Sequence, residues 1–463
     1  MGRWVSLGAV AGALALASPA IAATPQEQTI AVSDGTQLAC ALVEPDGTAP
    51  TGGWPAVILF HGLGGKHQDM EPVATQTLAP GGYASLMCDA RGQGASGGQF
   101  GLAGPTDVQD AQELYNWLAA RPEISHTQIG ALGISLGGGT VWNAAAAGVP
   151  FKAIVPTITW VDLQRALAPQ GLAKSGLVLL LSQDVPLDRW GPDLLAGKNA
   201  LLKGDTTGLA QLNSAHSSLA KLPSLSVPTL MLQGRHDFLF DIDQALTAYG
   251  LLKGPKLLYL GDLGHPPAAN PVAEQASYFG LALKWFDRFL KGTANGIDKQ
   301  HVVLAHDPWD GTTTAYAAPP ATKTASVTLP GTSTIEQGGR VVRGVRITGG
   351  PHETFGDTTI TVRYSGAKGW DRLVAVLTLA GSSTPISAGG VKLTGSAGVA
   401  TITLMNESVL VPAGKRLVVY LGGTSLVQDP GDALYIGDVQ PGSSITIGRE
   451  TVKLSVLTRA VSR

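Results

Sequence analysis

Gln128-Ile129-Gly130-Ala131-Leu132-Gly133-Ile134-Ser135-Leu136-Gly137-Gly138-Gly139 is the stretch on which the reading of this chain turns. It starts as a short apolar run, Gln128 to Ile134, of the length and composition of a buried strand. It stops at a serine flanked two residues away on each side by glycine, and a helical pattern follows from Gly139 to Ala147. Strand, sharp turn, helix is the repeating unit of a parallel sheet.

The same rhythm extends in both directions. Pro55 to Phe60 and Tyr83 to Cys88 are strand candidates upstream; Phe151 to Val155, Thr229 to Leu232 and Lys256 to Leu260 follow downstream, the last closing the sheet. Between them, Thr106 and Gln109 have capping-box spacing, and Val108, Ala111, Tyr115 and Leu118 trace one helical face. Val272, Ala276, Phe279, Leu283, Phe286 and Leu290 step by three and four, so a long amphipathic helix is expected there. From about 157 to 223 the strand rhythm breaks into leucine-rich helical patterns around Trp160 and Trp190, which reads as a cap inserted over the sheet. Beyond about residue 300 the texture changes. Pro308 to Thr324 has the composition of a linker, and short alternating runs such as Ile360 to Tyr364, separated by Gly, Ser, Pro and Asp, predict an all-β sandwich or jelly roll over 301–463.

Gly133-Ile134-Ser135-Leu136-Gly137 fits G-x-S-x-G, in which a strained strand-to-helix turn lifts a serine hydroxyl above the sheet. The chain is rich in glycine, with 60 residues, so the pattern recurs by chance: Gly94-Ala95-Ser96-Gly97-Gly98 fits as well. Context favours Ser135, because a buried strand leads directly to it, whereas Ser96 lies in a long glycine-rich loop. Downstream, Asp237 follows the strand at Thr229 and His265 follows the strand at Lys256, both at the sheet edge where Ser135 emerges. The order serine, acid, histidine gives a nucleophile, a carboxylate that fixes the imidazole tautomer, and a base. Asp241 and Asp243 are alternatives for the acid and His236 for the base. Asp262 reads as a loop cap. His61-Gly62-Leu63-Gly64-Gly65 follows the neighbouring strand, and the backbone N–H groups of Leu63 and Leu136 are the expected oxyanion donors. Gly92-Gln93-Gly94-Ala95-Ser96-Gly97 formally fits a dinucleotide-binding fingerprint, but more loop intervenes before the next helix than that site tolerates.

These segments together resemble the α/β-hydrolase superfamily, and within it the Xaa-Pro dipeptidyl-peptidase and cocaine-esterase-like serine hydrolases. The resemblance is carried by HGLGG, by Asp89-Ala90-Arg91-Gly92-Gln93-Gly94-Ala95-Ser96-Gly97-Gly98, by GISLG, by Trp285-Phe286-Asp287-Arg288-Phe289-Leu290-Lys291-Gly292, and by Val411-Pro412-Ala413-Gly414-Lys415-Arg416-Leu417 in the β region. It implies an α/β-hydrolase fold with a helical cap and a C-terminal jelly roll, cleaving esters or amides through an acyl-serine. Two positions depart from that family. Leu136 stands where a tyrosine usually follows the nucleophile, and HGLGG occupies the loop that often supplies a tyrosine hydroxyl to the oxyanion. Trp160 and Trp190 are candidate pocket residues, and Asp162, with Asp184 and Asp188, is a candidate for binding a substrate amine. The rival reading is a catalytically silent binding protein whose β region attaches to polysaccharide or a cell surface.

Composition narrows the partners. A formal net charge of −2 leaves no electrostatic footprint for nucleic acid, and the scattered histidines show no metal-ligand spacing, so neither metal nor cofactor is expected. A small-molecule or peptide substrate remains. Arg3, the apolar run Val5 to Ala17 and the small residues Ala20-Ile21-Ala22 read as a cleaved leader over residues 1–22, which predicts an exported protein with no membrane attachment thereafter. Cys40 and Cys88 fall on the second and fourth strands, which should be neighbours. They are read as two buried thiols, with a disulfide as the alternative in an oxidising compartment.

Overall fold

A computed structural model describes residues 23–382, 384–426 and 434–458; the expected leader lies outside them. A ten-stranded sheet forms the centre of the molecule. Its strands are β1 (Gln26–Ala31), β2 (Gln37–Val43), β3 (Trp54–Phe60), β4 (Ala84–Cys88), β5 (Ile124–Ile134), β6 (Ile154–Thr157), β7 (Thr229–Gly234), β8 (Lys256–Gly261), β9 (Val302–Ala305) and β10 (Thr313–Tyr316), in the order β1-β2-β4-β3-β5-β6-β7-β8-β9-β10. β4 to β9 and β3 run parallel, while β1, β2 and β10 pair antiparallel at the edges. The central strands are buried on both faces, which is why they read as continuous apolar runs. In β3, Ala56 and Ile58 join one apolar layer while Val57 and Leu59 join the other.

The helices are α1 (Glu71–Val73), α2 (Pro105–Ala119), α3 (Leu136–Ala146), α4 (Leu163–Leu167), α5 (Ser175–Leu181), α6 (Pro192–Leu202), α7 (Leu209–His216), α8 (Ile242–Leu251) and α9 (Val272–Phe289). α4 to α7 lie between β6 and β7, over the end of the sheet that carries Ser135.

Several expectations need correction. Lys256–Leu260 is not the last strand: β9 and β10 extend the sheet to Tyr316, so it runs past residue 300 and into the presumed linker. The Thr313–Tyr316 strand is largely exposed, which explains its linker-like composition. The cap of α2 is Gly104 with Asp107, whose carboxylate accepts the Gly104 N–H, rather than Thr106 with Gln109. α3 begins at Leu136, not Gly139. The buried face of α9 is Glu274, Tyr278, Ala282, Trp285 and Phe286, while Val272 is 59% exposed. Of the periodic residues, Phe286 and Leu290 are buried and Phe279 and Leu283 pack partly against the core; periodicity missed the start of the face because it is anchored by a carboxylate. Glu274 accepts the Tyr259 hydroxyl at 2.8 Å and the Asp262 N–H.

Cys40 and Cys88 stand directly opposite each other in the antiparallel β2–β4 pair and are joined as a disulfide, with Cα atoms 3.9 Å apart. The reading as two separate thiols gives way to register: opposed residues on adjacent antiparallel strands bring their side chains onto the same face.

The C-terminal region forms antiparallel sheets. One contains Thr322–Leu329, Ser444–Leu457, Thr359–Lys368 and Gly398–Thr403; a second contains Arg340–Arg346, Arg416–Gly422, Arg372–Leu379 and Pro385–Lys392; His352–Glu353 and Leu410–Val411 form a short third. Their inward residues, among them Ile360, Val362, Leu417 and Leu421, make one core. Outward residues of the second sheet, Val374, Val376 and Ala388, pack into a cluster with cap residues and with Phe238 to Phe240 of the loop after β7. The β region therefore braces the site as well as extending the chain.

Candidate active site

Ser135 sits between β5 and α3 with φ 81° and ψ −104°, a left-sided conformation that non-glycine residues avoid at a cost of about 1–3 kcal/mol. The surroundings hold it there. Its N–H donates to Thr157 O at 2.9 Å, and its carbonyl accepts the Thr159 hydroxyl at 2.7 Å. Gly133 and Gly137 permit the turn by close approach, since a Cβ on Gly137 would enter the Phe60 carbonyl and one on Gly133 would enter the Gly137 carbonyl. A Cβ on Gly138 or Gly139 would come within 2.7 Å of the Thr159 or Trp160 side chain. Glycines that would weaken a free helix are here the condition for packing its first turn against β3 and the cap, which is why propensity placed the helix start too late.

Ser135 Oγ lies 2.9 Å from His265 Nε2, and His265 Nδ1 lies 2.8 Å from Asp237 Oδ2. Asp237 is fully buried. Its Oδ2 also accepts the His265 N–H at 3.0 Å, and its Oδ1 accepts the N–H groups of Leu239 at 2.9 Å and Phe240 at 3.0 Å. With Nδ1–H donating to the carboxylate, Nε2 is left as an acceptor facing the serine hydroxyl. The Phe240 ring meets the imidazole edge-on at 5.3 Å. Three residues far apart in sequence thus form one hydrogen-bonded line.

The other candidates are engaged elsewhere. His236 donates through Nε2 to Pro385 O at 3.0 Å, and burial pushes it down to about 4. Asp243 pairs with Arg165 and accepts Asn406 Nδ2, while Asp241 accepts the Asn406 N–H. Burial, and then the nearby Asp243, raise Asp241 to about 6. Asp262 accepts the Ala269 N–H and caps its loop. Ser96 is 1% exposed; its hydroxyl donates to Asp89 O and accepts the Ala39 N–H, so the second G-x-S-x-G is a loop clamp.

That glycine-rich loop supports the HGLGG loop. Gln93 Oε1 accepts the Gly64 N–H at 2.7 Å, and the Ala90 N–H donates to His61 Nε2 at 2.8 Å. His61 is 2% exposed, with Nδ1–H donating to Gly62 O, and burial lowers its pKa. Gly62 passes close to the nucleophile: a Cβ there would lie 3.7 Å from Ser135 Cβ. Leu63 and Leu136 both border the cavity beside Ser135.

That cavity, about 710 Å³ counted to its open mouth, lies between Ser135 and the cap. Trp160 and Trp190 line it as expected, their indole N–H groups donating to His216 O and Val185 O. Asp162 does not: it caps α4 by accepting the Arg165 N–H at 3.1 Å. Among the described residues no cluster of three His, Cys, Asp or Glu has a metal-holding arrangement.

Sequence reasoning missed a group of braces around the acid loop. Arg235, 1% exposed, donates through Nε to Ser408 O at 2.8 Å and pairs with Glu353. Glu407 Oε2 accepts the Asp237 N–H at 3.0 Å. Lys174 Nζ, buried in the cap, donates to Phe238 O at 2.9 Å. Burial, together with Asp241 and Asp237, holds Glu407 well above the usual carboxylate range. Glu407 is 170 residues from Asp237, and no local pattern marks it.

Residues 34–266, half of the chain, match the X-Pro dipeptidyl-peptidase (S15 family) pattern. The chain belongs to that family. A cocaine esterase of Rhodococcus sp. is 32% identical over 143 residues, 30% of this chain and 24% of that protein. A putative Xaa-Pro dipeptidyl-peptidase of Streptomyces avermitilis is 25% identical over 372 residues, 73% of this chain and 53% of that one. This S15 family chain spans between 24% and 53% of the length of the curated relatives it matches. In structure it is similar to a CocE/NonD family hydrolase from Staphylococcus aureus, with TM-score 0.71, 15% identity and 93% of each chain covered. The fold is that of the α/β hydrolases, followed by an all-β region.

Proposed function

We propose that this chain is an exported serine hydrolase that cleaves an ester or amide through an acyl-Ser135 intermediate. The observation that carries the reading is the unbroken line from Ser135 Oγ through His265 to the buried Asp237, facing a cavity. In the first step the hydroxyl oxygen bonds to the substrate carbonyl carbon and its proton passes to His265 Nε2. Asp237 holds the ring in that tautomer and offsets the imidazolium charge. The N–H groups of Leu63 and Leu136 serve the oxyanion, replacing the phenol that other family members use. His265 then returns the proton to the leaving alkoxide or amine, and water releases the acid by the same steps in reverse. The Cys40–Cys88 disulfide supports export, because such bonds persist in oxidising compartments.

The test is labelling with a fluorophosphonate probe, with turnover of a short-chain nitrophenyl ester measured alongside. The expected result is one label, on Ser135, and a loss of roughly 10⁴-fold in kcat for Ser135→Ala. Labelling elsewhere, or an active Ser135→Ala variant, removes the assignment. A protein that neither labels nor turns over would be the silent binding protein.

A further inference from the structure

The walls of the cavity specify more than its position. Leu163 and Leu167 of α4, Leu194 and Leu201 of α6, and Leu212 of α7 face it from the cap, and the surface they present with their neighbours is apolar throughout. The reactive end carries Ser135. Among the described lining residues one is charged, Lys198, a half-buried residue of α6. None of the described lining residues is an aspartate or glutamate. Asp162 is spent on the α4 cap. Asp188 is exposed, as is Asp184, which packs on Gly64 and is not among the residues lining the cavity.

An acyl group attached to Ser135 Oγ therefore extends into a largely apolar chamber whose one charged described lining residue, Lys198, is cationic and repels an ammonium. A free α-amine is the feature that dipeptidyl and amino-acyl substrates share. In an amino-acyl substrate it is carried on the carbon next to the reacting carbonyl, and in a dipeptidyl substrate one residue further along; in both it enters a cavity whose described lining residues include no carboxylate. An ammonium there loses water and gains no partner. We propose that the site takes uncharged aliphatic acyl groups of medium length, as carboxylic esters, and rejects acyl groups bearing an α-ammonium. This rests on Ser135 being the nucleophile and names the substrate class of that same site.

The decisive comparison is a matched pair, methyl hexanoate against norleucine methyl ester, which differ by the α-ammonium alone. Release of acid is followed by titration, with a nitrophenyl ester series from acetyl to decanoyl beside it. The expected result is a kcat/KM at least about 100-fold higher for the hexanoate. The series should rise by up to about fourfold per added methylene, at least as far as hexanoyl. Leu201→Trp, which adds bulk at a lining residue of α6, is expected to move the optimum to shorter chains. A preference for the norleucine ester that Asp184→Asn abolishes would overturn the proposal and make Asp184 the amine site. A series that falls steadily from acetyl would overturn it too. Ser135→Ala separates the two levels: amino-ester turnover that it abolishes refutes only the substrate class, while turnover that survives it refutes the nucleophile.

Discussion

Replacing Asp237 by asparagine tests the site at the residue whose environment is most fully specified. The four N–H groups around the carboxylate, two from His265 and one each from Leu239 and Phe240, occupy both oxygens. A carboxamide can satisfy only one side. With its oxygen towards Leu239 and Phe240, the NH₂ faces His265; the backbone N–H there loses its acceptor, but Nδ1 can adapt by giving up its proton and accepting. With the amide reversed, the N–H groups of both Leu239 and Phe240 are orphaned in a buried loop. The first orientation leaves one fewer unsatisfied donor, worth about 1–3 kcal/mol, so it dominates by about 5- to 150-fold. It moves the imidazole proton to Nε2, which then points a donor at Ser135 Oγ and cannot accept the serine proton. The expected outcome is a fall in kcat of about 10³- to 10⁴-fold with little change in KM, measured on a nitrophenyl ester. Near-UV circular dichroism should stay native, because the loop contacts survive. A natively folded Asp237→Asn variant within tenfold of wild-type kcat would refute the tautomer argument and return Asp241 or Asp243 to consideration.

Two further outcomes follow from the braces and the buried carboxylates. Glu407 is held above the usual range and accepts one N–H from Asp237, so a neutral isostere keeps its contact. Glu407→Gln should stay within a few-fold of wild-type kcat while Glu407→Ala falls by about tenfold, with substrate KM little changed in both; equal losses in the two variants would deny it a positioning role. Asp107, buried in the first turn of α2, is raised to about 7 by desolvation and then by Asp110. A raised carboxylate contributes stability below the unfolded value near 3.8 and loses it as pH rises through about 7. Asp107→Asn, which keeps the acceptor for Gly104 N–H, should therefore gain on wild type between pH 4 and pH 8, by at most about 4 kcal/mol. Denaturant midpoints at the two pH values measure this, and parallel profiles would contradict it.

What the sequence determined by itself is local and periodic. Apolar runs alternating with helical patterns specify a parallel sheet, because a strand buried on both faces needs little else. G-x-S-x-G after such a run marks the strained turn, and the loops after β7 and β8 bring Asp237 and His265 to the same edge because parallel strands end on the same side. Tertiary structure decided whatever depends on partners far away in the chain. Whether Ser135 or Ser96 is free was settled by Asp89 and Ala39 clamping the latter. The start of α3 at Leu136 depends on glycines packing against Phe60, Thr159 and Trp160, a contact that opposes helix propensity. The start of the buried face of α9 is set by a carboxylate that hydrophobic periodicity discards. The disulfide required a register that composition does not carry. Glu407 reaches Asp237 only because the β region folds back onto the loop after β7, a long-range docking with no local signature in either segment.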